Sequence, residues 1–106
     1  MKIEITFRSD SLSPALRAYA EEQMASIERY GEEFEGGELV FDQTNATVHC
    51  EAILRRRRGE AFIAKDSADD AKVALDGVMG KLEKQYLKFK EKHSVKARRH
   101  EANEDR

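Results

Sequence analysis

The chain has no tryptophan, one proline and one cysteine among its 106 residues. A single cysteine, Cys50, excludes an internal disulfide and suits a reducing compartment. No run comes near the roughly 20 apolar residues that cross a bilayer. The opening Met1-Lys2-Ile3-Glu4-Ile5 lacks the apolar segment of a signal peptide. A cytoplasmic protein with no membrane partner is the expectation. There is also no glycine-rich phosphate loop, no nucleophile with a plausible base, and no spaced set of metal ligands. His93 and His100 stand without Cys or His partners at ligand spacing. The chain is therefore expected not to be an enzyme and to need no cofactor, metal or small-molecule substrate.

What is present in abundance is charge. Charged residues make up 38% of the chain, yet the net charge is only −2. The near-neutral sum hides a segregation. Residues 21–42 hold eight acids and one base, Arg29, whereas residues 81–99 hold eight bases and two acids, Glu83 and Glu91. Arg55, Arg56, Arg57 and Arg58 form a separate basic run. Opposite poles on one small domain create a directed field, which orients a polyanion onto one surface.

The hydrophobic pattern places these charges on elements. Ile3, Ile5 and Phe7 alternate with Lys2, Glu4, Thr6 and Arg8, a strand with one buried face ended by Ser9-Asp10-Ser11. Ser13-Pro14 reads as a helix cap and first helical position. Leu16, Tyr19, Ala20, Met24, Ile27 and Tyr30 follow at helical spacing, with Gly31 as a stop and Glu32–Glu35 as a solvated end. Gly36-Gly37 reads as a loop, residues 38–42 as a second strand, and Gln43-Thr44-Asn45 as a turn. Residues 46–54 alternate, with Ala46, Val48, Cys50, Ala52 and Leu54 on one face and Thr47, His49, Glu51 and Ile53 on the other. That parity separates His49 from Cys50 and makes the thiol a core residue. Arg55 to Gly59 reads as a turn, residues 60–65 as a fourth strand, and Asp66-Ser67 as the start of a last helix. Asp69 and Asp70 fall in its first turn, and its core stripe runs Ala71, Leu75, Val78, Leu82, Tyr86 and Phe89. The stripe ends near Lys92 or His93, so residues 1–93 are expected to be the folded domain and 94–106 a flexible tail.

The predicted class is α+β in the order β-α-β-β-β-α: a four-stranded mixed sheet with two helices packed on one face, as in a double-stranded-RNA-binding domain. In the last helix, Lys81, Lys84, Lys88 and Lys92 fall within a stripe roughly 80° wide, beside the core stripe, with Lys90 on the other flank. Like charges three or four apart cost about 0.2–0.5 kcal/mol per pair. Gly77 and Gly80 cost about 1 kcal/mol each relative to alanine. Stability alone does not select these features. Cations that replace counterions around phosphates, and small residues that permit close approach, explain both. A lysine-rich face is commonly only a solvated face, and an arginine-rich turn commonly only protects a sheet edge. The charge segregation of the whole chain favours a polyanion partner.

The run from Asp69 through Gln85, followed by Lys88, Lys90 and Lys92, resembles the final helix of the short ribosome hibernation-promoting factors and ribosome-associated inhibitors, the sigma-54 modulation protein family. The segment Ser13–Tyr19 and the later Ile27-Glu28-Arg29-Tyr30 resemble that family's first helix. The resemblance spans residues 1–93. It implies a monomeric factor that binds the small ribosomal subunit and its rRNA in the channel shared by messenger and transfer RNA, inhibiting translation in stress or stationary phase. By position it nominates Lys81, Lys84, Lys88, Lys90 and Lys92, with Arg17 on the first helix. Arg55, Arg56 and Arg57 are added as RNA contacts on charge alone, since Arg55–Arg58 has no counterpart in the family's pattern. From its length the chain is expected to lack the second, dimerising domain of the long members. Alternative readings are a general double-stranded RNA-binding module and a modulator of a protein partner such as a sigma factor, docked through the acidic first helix.

Overall fold

Ser13 begins the first helix as its sequence suggests. Its hydroxyl accepts from the Leu16 amide at 3.1 Å, and Pro14 fills the first helical position, where no amide is needed. In the computed structural model, which describes residues 2–8, 13–30 and 34–97 (side chains through residue 91), the elements are β1 (Lys2–Phe7), α1 (Pro14–Ala25), a 3-10 turn (Ser26–Tyr30), β2 (Phe34–Thr44), β3 (Thr47–Arg56), β4 (Phe62–Ala68) and α2 (Ala71–Ala97). The breaks read at Ser9–Ser11, Gly31 and Glu32–Glu33 lie outside the described residues.

The four strands form one sheet in the order β1-β2-β3-β4, with β1 parallel to β2 and the other pairs antiparallel. The α+β class and element order match the expectation. Period-two burial in β3 puts Val48, Cys50, Ala52 and Leu54 under the helices. Both helices cover this one face: α1 lies against β1 and α2 against β4 and β3. Met24 and Ile27 from the first helical segment, Leu39 and Phe41 from β2, and Leu75, Val78 and Leu82 from α2 are fully buried between the layers. Burying each such side chain contributes about 1.5–3 kcal/mol.

Several boundaries differ from the sequence reading. Gly36 and Gly37 belong to β2 rather than to a loop. A Cβ at Gly37 would lie 3.3 Å from Ile3 Cδ1, from the Ile53 carbonyl and from Leu54 Cδ1, so crowding between neighbouring strands selects glycine there. Phe34 and Glu35, read as a helix end, also belong to β2. The β2–β3 turn centres on Asn45 and Ala46, one residue later than expected. Asn45 holds a φ of 57°, which asparagine tolerates better than most residues. Arg55 and Arg56 extend β3, and only Arg57–Gly59 form the bend. Asp66 and Ser67 extend β4, where they pair with Cys50 and His49; the Ser67 hydroxyl and His49 Nδ1 lie 2.8 Å apart. The helix start moves to Ala71. Asp70 precedes it as a cap, its carboxylate accepting from the Lys72 amide at 2.8 Å.

Among the described side chains Phe89 is the last of α2 packed against the core, and helical backbone continues to Ala97. Extending an anchored helix adds one hydrogen bond per residue without a new nucleation cost. Residues 98–106 lie outside the described residues.

The two helices meet through polar contacts at their N-terminal halves. The Tyr19 hydroxyl donates to Asp76 at 2.5 Å, and the Lys72 ammonium sits 4.9 Å from the Tyr19 ring centroid. That hydrogen bond, followed by burial and the charges of Asp76 and Glu22, raises the Tyr19 pKa above its ordinary 10.0. A raised folded-state value contributes stability that is complete below the unfolded value and is lost as pH rises through the folded one. Tyr19→Phe is expected to lose about 0.5 kcal/mol at pH 7, the low end for an exposed bond. The variant should also show a shallower stability decline above pH 10 in urea titrations. Superimposable declines in the two proteins would refute the contact's role.

Candidate nucleic-acid interface

A 27-residue helix is about 40 Å long. The sheet holds it along one stripe and leaves its outer side to solvent. Val73, Lys84, Leu87 and Lys88 are exposed there, Lys90 is exposed on the other flank of the core stripe, and Lys84, Gln85, Leu87, Lys88 and Glu91 line a shallow depression. Among the described residues, the ammonium groups of Lys84, Lys88 and Lys90 make no hydrogen bond or ion pair. Charges left in this state are screened only by counterions, which a phosphate chain displaces.

Lys81 is different. Its ammonium donates to the Lys65 carbonyl at 2.6 Å and lies 3.9 Å from Asp66. One turn later, Gln85 donates to the Ile63 carbonyl at 2.6 Å. Ile63 and Lys65 stand on β4, an outer strand of the sheet, and their carbonyls would otherwise be open to pairing with another chain. Lys81 and Gln85 therefore cap a sheet edge, a task that bare strand edges demand. The Lys81 side chain remains about half exposed.

Asp66 also explains Gly77. A Cβ at Gly77 would lie 1.8 Å from Asp66 Oδ2, so this glycine serves the packing of α2 on β4. Gly80 has nothing within 4 Å of its Cβ position, and it alone of the pair faces open space.

The arginine run splits by strand parity. Arg55 is exposed on the open sheet face and lies over Gly36. Arg56 points to the helix side, with its guanidinium 4.2 Å from the Phe89 ring centroid and 5.3 Å from that of Phe62. Arg57 and Arg58 are exposed in the bend. The contact with Phe89 brings this bend beside the C-terminal half of α2, so Arg57, Lys88 and Lys90 gather at one end of the molecule. Arg17 is exposed near the start of α1, whose Tyr19 touches Asp76, and it belongs to the opposite end. The Lys92 side chain lies outside the described ones.

Beneath the basic end is an aromatic cluster. Tyr30 stacks on Tyr86 with centroids 4.4 Å apart, Phe34 meets Phe62 at 5.6 Å, and Phe62 meets Phe89 at 5.8 Å. The Tyr86 hydroxyl donates to the Tyr30 carbonyl. These rings are packed against the core, as the sequence reading holds, and are not displayed for base stacking.

The remaining chemistry is quiet. Cys50 is buried, and burial, followed by the charges of Asp66 and Glu51, pushes its thiol up to about 12. Among the described residues no group of three His, Cys, Asp or Glu side chains is arranged to hold a metal, and no helix is long and apolar enough to cross a membrane. The sequence alone did not reveal the stacked Arg56 or the edge-capping pair Lys81 and Gln85. For Arg56 the signal was available, because the alternation of Val48 to Leu54, continued by two residues, lands it on the core face.

Comparison with known proteins agrees with this arrangement. A family model described as Sigma 54 modulation protein / S30EA ribosomal protein matches residues 3–94. A curated relative, the ribosome hibernation promoting factor of Azotobacter vinelandii, is 27% identical over 92 residues, covering 87% of this chain and 85% of that protein. Among solved structures, a ribosomal subunit interface protein from Coxiella burnetii superimposes with a TM-score of 0.78 at 28% identity, covering 85% of this chain and 98% of the other. The N-terminal domain of Thermus thermophilus Protein Y shares the fold, with a TM-score of 0.74 at 23% identity over 84% of this chain and 99% of that domain.

Proposed function

Because the chain belongs to the sigma 54 modulation protein / S30EA ribosomal protein family, we propose that it is a ribosome hibernation factor. It binds rRNA of the small ribosomal subunit in the channel used by messenger and transfer RNA, and so halts translation under stress or in stationary phase. It acts in the cytoplasm as a monomeric binding factor rather than an enzyme, through the domain of residues 1–93. The observation that carries this reading is the set of exposed cations on α2: Lys84 and Lys88 on its outer side and Lys90 on the flank are committed to no partner among the described residues. Arg57 extends the set at the same end. Lys81 and Lys92 continue the stripe, and Arg17 and Arg55 serve as outlying contacts.

Co-sedimentation with isolated small subunits at increasing salt tests the proposal. Each phosphate contact contributes about −0.7 to −0.9 to the log–log slope of affinity against salt. Five or so contacts predict a slope of roughly −4, and so a loss of more than a hundredfold between 50 and 200 mM salt. A salt-independent association would remove the phosphate mechanism. Equal competition by naked duplex RNA would instead assign the protein to general duplex binding through shape.

A further inference from the structure

Arg56 is the last residue of β3; its side chain is half-buried, with Nε buried and the guanidinium plane set against rings on the helix side. Phe89 of α2 lies 4.2 Å from it on one side and Phe62 5.3 Å on another. Its Nη1 donates to the Glu60 carbonyl at 3.3 Å, just past the following bend. Gly59 approaches it closely: its φ is +93°, and a Cβ there would lie 2.9 Å from Arg56 Nη1. Only glycine lets the bend wrap so tightly around the guanidinium. Nε is buried with no hydrogen-bond partner among the described residues. With Nε buried and Nη1 on the Glu60 carbonyl, the guanidinium offers a phosphate only part of its fork. What it does instead is join a bend to a helix, since a planar cation can stack on rings and bond a carbonyl at once.

We propose that Arg56 is a positioning residue that locks the Arg57–Arg58 bend against α2, so that the bend and the lysines flanking Phe89 form one rigid phosphate grip. The inference rests on the rRNA-binding reading above and assigns Arg56 a role distinct from direct contact. Arg57 and Arg58 follow Arg56 directly and are exposed; Lys88 and Lys90 stand on either side of Phe89 in sequence and are exposed. Two cationic segments some thirty residues apart in sequence thus meet through a single side chain. A bend ordered in the free protein loses little freedom on binding, whereas a loose bend must be ordered by the ligand.

The test is a double-mutant cycle on the full chain, read by co-sedimentation with small ribosomal subunits across a salt series. In the native background, Arg57→Ala with Arg58→Ala is expected to make the log–log slope shallower by roughly 1.5 to 2. In an Arg56→Leu background the same pair should change the slope by less than half as much, because the unlocked bend no longer contributes fully. Phe89→Leu, which removes the stacking ring from the other side, should give the same loss of coupling should Arg56→Leu fold poorly. Amide hydrogen exchange of residues 57–61 in the free protein supplies a readout independent of the ribosome, and at least a tenfold loss of protection is expected in both variants. Equal slope changes in the two backgrounds, or unaltered exchange, would overturn the positioning role. A native chain that fails to sediment with small subunits would overturn the ribosome reading itself, while exchange would still report on the lock.

Discussion

Lys84→Glu combined with Lys88→Glu is expected to abolish binding to small ribosomal subunits at physiological salt while the protein stays folded. Both side chains are exposed and, among the described residues, hold no hydrogen bond or ion pair, so neither supports the fold. Glutamate is about as good a helix former as lysine. The reversal exchanges one like-charge pair four residues apart for another, a change of a few tenths of a kcal/mol at most. Binding responds far more strongly. A unit charge about 4 Å from a phosphate interacts by about 1 kcal/mol even at the dielectric constant of water. Reversing two charges therefore shifts the interaction by about 4 kcal/mol, or roughly a thousandfold in affinity. Circular dichroism and a urea midpoint near that of the native protein would establish that the fold survives. Undiminished sedimentation of a folded variant would eliminate the outer side of α2 as the interface.

The layer arrangement could be read from the sequence because it depends on periodicity. Ile3, Ile5 and Phe7 at period two, Val48 to Leu54 at period two, and Leu75, Val78 and Leu82 at helical spacing can only be buried by laying helices on one sheet face. The errors have a common physical cause: residue types that act locally in most chains act here across the sheet. Glycine usually signals a turn, but Gly37 makes room for Ile3 and Leu54. Aspartate followed by serine usually signals a cap, but Asp66 reaches α2 and Ser67 meets His49. A four-arginine run looks uniform, but strand parity sends Arg55 to the open face and Arg56 under the helix. The lysine stripe likewise looks uniform on a helical wheel, and only the position of the β4 edge separates Lys81 from Lys84 and Lys88. Sequence pattern thus located the cations, and tertiary contacts sort those holding the fold together from those that, among the described residues, hold nothing.

Gly77→Ala should destabilise the protein, against its local propensity. Alanine in a helix interior is worth about 1 kcal/mol over glycine, so an unconstrained site would gain from this change. At Gly77 the added methyl would lie 1.8 Å from Asp66 Oδ2 and 2.7 Å from its Cγ. Either Asp66 swings out of the groove, giving up its approach to Lys81, or α2 lifts from β4. Overpacking of this kind costs about 1–3 kcal/mol, which after the gain of about 1 kcal/mol leaves a net loss of up to about 2 kcal/mol, and for a domain of this size each kcal/mol lowers Tm by about 4–8 °C. Gly80→Ala is the internal control: with open space at its Cβ position, it should gain close to the full propensity difference. Asp66→Ala added to Gly77→Ala should recover most of the loss. It removes the clashing carboxylate at the modest expense of a partly exposed ion pair, and leaves a tight 3.3 Å approach between the two methyl carbons. Thermal melts of the four proteins decide the matter. A Gly77→Ala variant as stable as Gly80→Ala would mean that Asp66 yields to the methyl without cost, so that its approach to Lys81 adds nothing to the fold and the Lys65 carbonyl alone holds that lysine at the strand edge.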